Sequence, residues 1–331
     1  MTLNTIPNRP EHPIPVQDIN DQPGPYCMSF RFDINPFVRS IREAGLINVP
    51  LLVKNADQPH EVVLGFRRIK AMQALGMEEI PCRIISESEL SPLDCLLLNL
   101  NDNLASRTFN EVEKAMVISR LSKWLQPAEI LETYMPLLGL PSKEHTRVLY
   151  CRLENELNEQ TKAAMVFGHV SLHSARLILE MENEAKSRVF GLISKLKFNV
   201  NQQKQLIEYI NDISHIEGTS ISEILAENTF RKICLDTRMN NPQKVKHILT
   251  GLRSRIFPKL TASEKTFKKT ISTLDLPAGV RIDAPPFFEA PHYRMEILFR
   301  NGEALKENLE RLLKIKGLGK LLDPWEKDLN G

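Results

Sequence analysis

Along the N-terminal part of the chain the apolar positions fall in short clusters whose period switches. In "DINPFVRSIREAGLINVPLLVK", Phe37, Val38 and Ile41 recur at helical spacing, and Gly45 stands where that helix would stop. "VPLLVK" and "EVVLG" are compact aliphatic runs that predict two strands, with "ADQPH" as the turn between them. Ile69, Met72 and Leu75 then space a helix over residues 67–75 that ends at Gly76, and "EIPCRII" predicts a further strand.

From Ser91 onward the period is helical. "SPLDCLLLNLNDNL" opens on a serine cap with proline at the first helical position. "NEVEKAMVISRLSKWL" carries Asn110 with Glu113 three residues on, a capping-box pattern. "PAEILETYMPLLG" ends at Gly139, and "SKEHTRVLYCRLENEL" starts at Ser142 with Val148, Leu149 and Leu153 as its inward face. "NEQTKAAMVFG", "SLHSARLILEM" and further helices run to about residue 228. Asn241-Pro242 caps "QKVKHILTGLRSRIF", which Pro258 closes, and Thr261 with Glu264 predicts a capping box for "ASEKTFKKTISTL". The C-terminus changes period again. "GVRIDAPPFFE" and "HYRMEILFR" read as strands and "GEALKENLERLLKI" as an amphipathic helix. Such a β-β-α unit is too small to bury much alone and implies a partner chain.

The fold class is therefore α+β. A small α/β N-terminal domain at 31–107 follows an irregular leader at 1–30. An all-helical domain spans 108–228, a basic helical segment 229–276, and the β-β-α unit 277–331.

Composition narrows this only in places. The 331 residues suffice for two or three domains, and 42% hydrophobic with 25% charged residues is an ordinary globular balance. No run of 18 apolar residues predicts a membrane span. The polar, proline-bearing start has no apolar core of a secretory signal, so a cytoplasmic location is expected. Cys27, Cys82, Cys95, Cys151 and Cys234 form no C-x-x-C pair and are odd in number, which argues against a disulfide framework or a zinc site. Net charge is only +2 but unevenly spread. Residues 231–270 hold eleven Lys/Arg against Asp236 and Glu264, a local +9, so the remainder carries −7. A region this basic suits a polyanion, or is a solvated face.

The chemistry-bearing stretches are few. In "EVVLGFRRIKAMQALG" a glycine turn leads into a helix whose first turn carries Arg67 and Arg68. Cations are disfavoured at that end of the helix dipole. An anion held by the free N–H groups and the two guanidiniums would offset this; two solvated arginines are the plain alternative. No Walker A pattern is present. Asp102 and Asn103 precede a helix start, as a magnesium-phosphate site or as a polar linker. Helix, Gly139-Pro141 turn, helix is helix-turn-helix geometry, which would offer Lys143, His145, Thr146 and Arg147 to a DNA major groove.

In order, these stretches resemble the ParB-type partition proteins, over most of 31–228 and more weakly over 277–316. "GFRRIKAMQALGMEEIPCRII" is similar to the family's phosphate box, commonly G-E-R-R-x-R-A, and "DNLASRTFNEVEKA" to its second box, commonly E-N-x-Q-R. "GHVSLHSARLILEM" resembles the segment G-x-L-S-x-G-H-A-R. The resemblance implies a ParB/sulfiredoxin-like N-terminal domain that binds CTP with Mg²⁺, a helix-turn-helix domain on double-stranded DNA, and a C-terminal dimerisation unit. It further implies a clamp-forming homodimer, a ParA-type ATPase partner and a place on the nucleoid. On it, Gly65, Phe66, Arg67 and Arg68 would hold the nucleotide, with Asp102 and Asn103 near phosphates and metal. Phe66 stands where the family carries glutamate; in the second box Asp102 stands for Glu, and Ala105 and Ser106 replace Gln and Arg, with Arg107 one place later, as compensation or not. Hydrolysis is therefore left open and no catalytic residue is assigned; a DNA-binding regulator or adaptor without nucleotide turnover is the alternative. Sulfiredoxin chemistry needs a cysteine where Phe66 stands and is excluded.

Overall fold

The computed structural model describes residues 9–54 and 59–321; most of the turn expected at "ADQPH" lies outside them. The chain divides into two compact units, Met1–Lys204 and Gln205–Gly331.

The first unit opens with a four-stranded sheet: β1 (His12–Pro15), β2 (Leu51–Val53), β3 (Glu61–Leu64) and β4 (Glu79–Ile85), in the order β1-β4-β2-β3. β4 pairs antiparallel with β1 and parallel with β2, and β2 pairs antiparallel with β3. The presence of β1 departs from the irregular leader expected at 1–30. Pro13 and Pro15 read as breakers, yet an edge strand bonds on one side only and tolerates their missing N–H groups.

Side chains alternate across the sheet, as a pleat requires. Leu52 and Val62 pack with Phe66, Ile69, Met72 and Ile80 in a core shared with α1 (Asn35–Ala44) and α2 (Phe66–Ala74). Leu51, Val53 and Val63 pack on the other face with Ile85 and Cys95 of α3 (Pro92–Ser106). The sheet is thus the middle of three layers. α1 stops at Gly45 (φ 72°), where the sequence placed the stop.

Ser91 and Asp94 close a capping box on α3, and Asn110 and Glu113 close one on α4 (Glu111–Leu121). A helical run over 127–137 follows, made of α5 (Pro127–Glu129), a π turn (Ile130–Tyr134) and α6 (Met135–Leu137). After the turn at Gly139 (φ 67°) comes α7 (Glu144–Glu156). Its cap position is Lys143, so Ser142 is not the start expected. Its buried face is Tyr150 and Leu153, and Val148, expected inside, is 41% exposed. α7 packs on α4, and the bond of the Tyr150 hydroxyl to the Glu111 carboxylate sets that rotation. α8 (Glu159–Val166), α9 (Leu172–Leu179), α10 (Asn183–Leu196) and α11 (Val200–Glu217) complete the run. Within "GHVSLHSARLILEM", Ser171 caps α9 by accepting from the Ser174 amide at 3.0 Å, and Gln203 donates to the His169 carbonyl at 2.8 Å.

The second unit holds α12 (Ile221–Ala226), α13 (Asn228–Leu235), α14 (Asn241–Ile256), α15 (Pro258–Ser272), β5 (Val280–Asp283), β6 (Arg294–Ile297) and α16 (Gly302–Leu313). The cap of α14 is Asn240, one residue before the expected one. α15 starts at Pro258 rather than after Thr261. Proline suits the first helical position, so the residue that closes α14 also opens α15. Thr261 instead bonds back to the Phe257 carbonyl at 2.9 Å, and Glu264 pairs with Arg253 at 2.7 Å. β5 and β6 pair antiparallel from Val280–Ile297 to Asp283–Arg294. Val280, Ile282 and Leu312 are buried, whereas Leu298, Phe299 and Leu313 are exposed. Among the described residues no helix is long and apolar enough to cross a membrane.

Candidate functional site

The strand-turn-helix at β3–α2 builds one wall of a cleft. Gly65 sits at φ 85°, in the left-handed region, and a Cβ there would lie 3.2 Å from Pro50. Both features call for glycine. No side chain caps α2; the Arg68 amide donates to the Gly65 carbonyl at 2.9 Å, which leaves the Phe66 and Arg67 amides as the open donors of the first turn among the described residues. The other wall is the C-terminal half of α3. Gly65, Phe66, Arg67, Arg68, Asp102 and Asn103 all line this one cavity of about 70 Å³, with Cys27, Met28, Ser29, Asn99, Ser106 and Arg107. All six residues expected at a nucleotide site are therefore neighbours.

Their states differ. The guanidinium of Arg68 makes no ion pair or side-chain hydrogen bond among the described residues, nor does the carboxylate of Asp102. Arg67 is tied down: Nε donates to Ser29 Oγ at 2.9 Å, Nη2 donates to Glu113 Oε1 at 2.8 Å, and the guanidinium lies 4.8 Å over the Phe32 ring. Burial, and then repulsion from Arg107, pull the Arg67 pKa below its ordinary range. Phe66 is a core residue whose ring meets Phe32 edge-on at 6.1 Å.

Two residues that motif reading did not assign organise the cleft. Arg107 donates from Nε to Asn103 Oδ1, from Nη1 to Glu113 Oε2 and from Nη2 to the Met28 carbonyl, each at 2.6 Å. Glu113 sits between Arg67 and Arg107 with its side chain 2% exposed. Sequence reading took Glu113 only as the return arm of a capping box, which it also is: Oε2 accepts from the Asn110 amide at 3.1 Å. Arg107, one place past the position where the second box carries arginine, is the available signal.

The donor set bears on a metal. Among the described residues no three His, Cys, Asp or Glu cluster as metal ligands. The Asp102 carboxylate is free to take a cation, but the Asn103 oxygen already accepts from Arg107. A single carboxylate beside three arginines fits Mg²⁺ carried mainly on phosphate oxygens, not a protein cage. Burial pushes the Cys27 thiol pKa up, so no thiolate nucleophile faces the cleft. A wider groove of about 720 Å³ shares Ser29 and Phe66 with the cleft and is lined by Phe30, Phe32, Arg31, Lys70 and Arg120.

Of the residues expected to meet DNA, Lys143 and His145 are exposed at the start of α7, and Thr146 is half-buried. Arg147 is turned back, donating from Nε to Glu144 at 2.9 Å and from Nη1 to Ser122 Oγ at 3.3 Å. In the basic segment, Arg253 pairs with Glu264, and Arg255 with Glu217 and Glu227. Lys259, Lys265, Lys268 and Lys269 of α15 are exposed and without ion pairs among the described residues.

Residues 7–99 match the family model described as the ParB N-terminal domain. A probable chromosome-partitioning protein ParB from Coxiella burnetii is 27% identical over 191 residues, covering 57% of this chain and 63% of that protein, under two thirds of its length. Its counterpart in Vibrio cholerae is 24% identical over 240 residues, covering 68% of this chain and 78% of that protein. Among solved structures, the C-terminally truncated ParB of Caulobacter crescentus complexed with CTP-γ-S covers 56% of this chain and 98% of its own, at 21% identity and a TM-score of 0.26.

Proposed function

From the match of residues 7–99 to the ParB N-terminal domain model, we propose that the chain is a DNA-binding partition protein of the ParB type, switched by a cytidine nucleotide. One observation carries the nucleotide reading: an uncapped helix N-terminus, a free arginine and a free carboxylate converge on the same cleft. The cleft has room for phosphates rather than a whole nucleotide, so base and sugar would extend into the adjoining groove. Gly65, the α2 amides and Arg68 would hold the triphosphate, and Asp102 a Mg²⁺ bound to it. Asn103 would have to release Arg107 to join that ion.

On the DNA side, Lys143 and His145 would enter the groove at a specific site, and Arg147 could join only by leaving Glu144. The lysines of α15 would add sequence-independent phosphate contacts. The exposed apolar residues Leu298, Phe299 and Leu313 fit a second copy of the chain, closing a homodimeric clamp. A ParA-type ATPase partner and residence on the nucleoid in the cytoplasm follow from the same reading.

A second reading is favoured by Phe66, buried in the core where the family carries glutamate. The fold would then serve a DNA-binding regulator or adaptor that neither binds nor hydrolyses nucleotide. Titration with CTP, ATP and GTP in the presence of Mg²⁺, with phosphate release followed, separates the two. CTP binding abolished by Arg68→Ala supports the switch. CTP binding without phosphate release selects a non-hydrolysing switch. Absence of any nucleotide binding at about millimolar concentration (a free energy near −4 kcal/mol) leaves the regulator.

A further inference from the structure

Glu113 is saturated. Oε1 accepts from Arg67 Nη2 at 2.8 Å and from the Phe30 amide at 3.2 Å; Oε2 accepts from Arg107 Nη1 at 2.6 Å and from the Asn110 amide at 3.1 Å. A carboxylate offers about four lone-pair sites, and all are taken. The donors are guanidinium and backbone N–H groups, the kinds that recognise a phosphate. Arg67 keeps only Nη1 outside these bonds and Arg107 has every nitrogen engaged. Arg67, Arg68 and Arg107 are opposed by Asp102 and Glu113, so the cleft offers a ligand only a single net positive charge.

We propose that Glu113 is the affinity-determining residue of the cleft, a built-in anion that occupies the arginine donors an incoming phosphate needs. Binding is then an exchange, in which ligand oxygens replace Glu113 at Arg67. This rests on the phosphate reading of the cleft given above. Glu113→Gln removes the charge that repels the ligand. It also places an amide N–H₂ among four donors, which frees a guanidinium. At an effective dielectric of about 20, losing one charge about 10 Å from a bound phosphate is worth roughly tenfold in affinity, and more if the two lie closer. The unliganded fold meanwhile loses the buried counter-ion of two partly buried arginines. Affinity and stability therefore move in opposite directions. A glutamate with a merely structural role would lower both.

The test uses the full chain and inorganic tripolyphosphate, with affinity read by calorimetry and stability by thermal melting. Glu113→Gln is expected to melt lower than wild type without the probe, to bind it roughly tenfold tighter, and to gain more in melting temperature on saturation. Equal or weaker binding by a variant with native circular dichroism, while wild type binds, overturns the proposal and leaves the phosphate reading standing. Failure of wild type to bind, with Arg68→Ala indistinguishable from it, overturns both. Should Glu113→Gln not fold, Glu113→Asp decides. It keeps the charge but is too short to span both guanidiniums. Tighter binding than wild type supports the proposal, and unchanged or weaker binding overturns it.

Discussion

Two regions of this molecule concentrate positive charge, and they handle it in opposite ways. In the cleft, Arg67 and Arg107 are held by Ser29, Asn103, the Met28 carbonyl and a buried carboxylate, and each stacks on a phenylalanine, Phe32 and Phe109. On α15, Lys265 and Lys269 lie one turn apart with Lys268 beside them, and Lys259 stands in the first turn. The one acid of that helix, Glu264, is turned to Arg253. The first arrangement fixes donors in space, which a small ligand of defined shape requires. The second leaves mobile point charges in water, with like charges at i,i+4 that cost the helix a few tenths of a kcal/mol. That suits a long polyanion met in many registers.

The comparison breaks most visibly at Glu113. Glu113→Ala strands two partly buried guanidiniums, and loss of one partner from a buried pair costs about 3–5 kcal/mol. Urea unfolding followed by circular dichroism should show that loss. A loss under about 1 kcal/mol would mean the cleft is as solvated as the α15 face, in the range of exposed pairs.

Arg68 sharpens the contrast within the cleft. Its guanidinium makes no bond among the described residues, so Arg68→Ala should leave stability within about 0.5 kcal/mol of wild type. It should lower nucleotide affinity by about 1.5–3 kcal/mol, the range for a hydrogen bond to a charged group. Arg67→Ala should instead lose stability as well, because it uncovers Glu113. Equal melting temperatures for the two variants would contradict the division of labour drawn here.

Gly65 tests the backbone beneath both arginines. Gly65→Ala puts a Cβ 3.2 Å from Pro50 in a left-handed residue. The expected cost is about 1–2 kcal/mol of stability, again read by urea unfolding. Nucleotide affinity should fall with it, since the α2 amides shift.

How much of this was legible depended on range. The caps at Ser91 and Asn110 are four-residue patterns, and the structure keeps both. β1 was hidden by Pro13 and Pro15, because local chemistry does not reveal which strand will lie at an edge. Val148 was assigned inward from periodicity, but the Tyr150–Glu111 bond between α7 and α4 sets which face turns in. The glycine, the arginines, Asp102 and Asn103 could be gathered from motifs. Glu113 could not, because its partner Arg67 is 46 residues away and its local role as a capping arm already accounts for its identity.

The smallest expected effect lies on α15. Lys265→Ala with Lys269→Ala removes two exposed charges that have no ion pair among the described residues and repel each other, so stability should be unchanged or rise by a few tenths of a kcal/mol. Each lysine that contacts a phosphate displaces counterions, so the slope of log affinity against log salt should flatten by about 0.9 per residue on double-stranded DNA. The same pair of changes should leave nucleotide binding at the cleft as it was, and affinity should fall alike on unrelated DNA sequences. A slope that does not move would make the α15 face a solvated surface, and the two basic regions would then differ not in the kind of anion they take but in whether they take one at all.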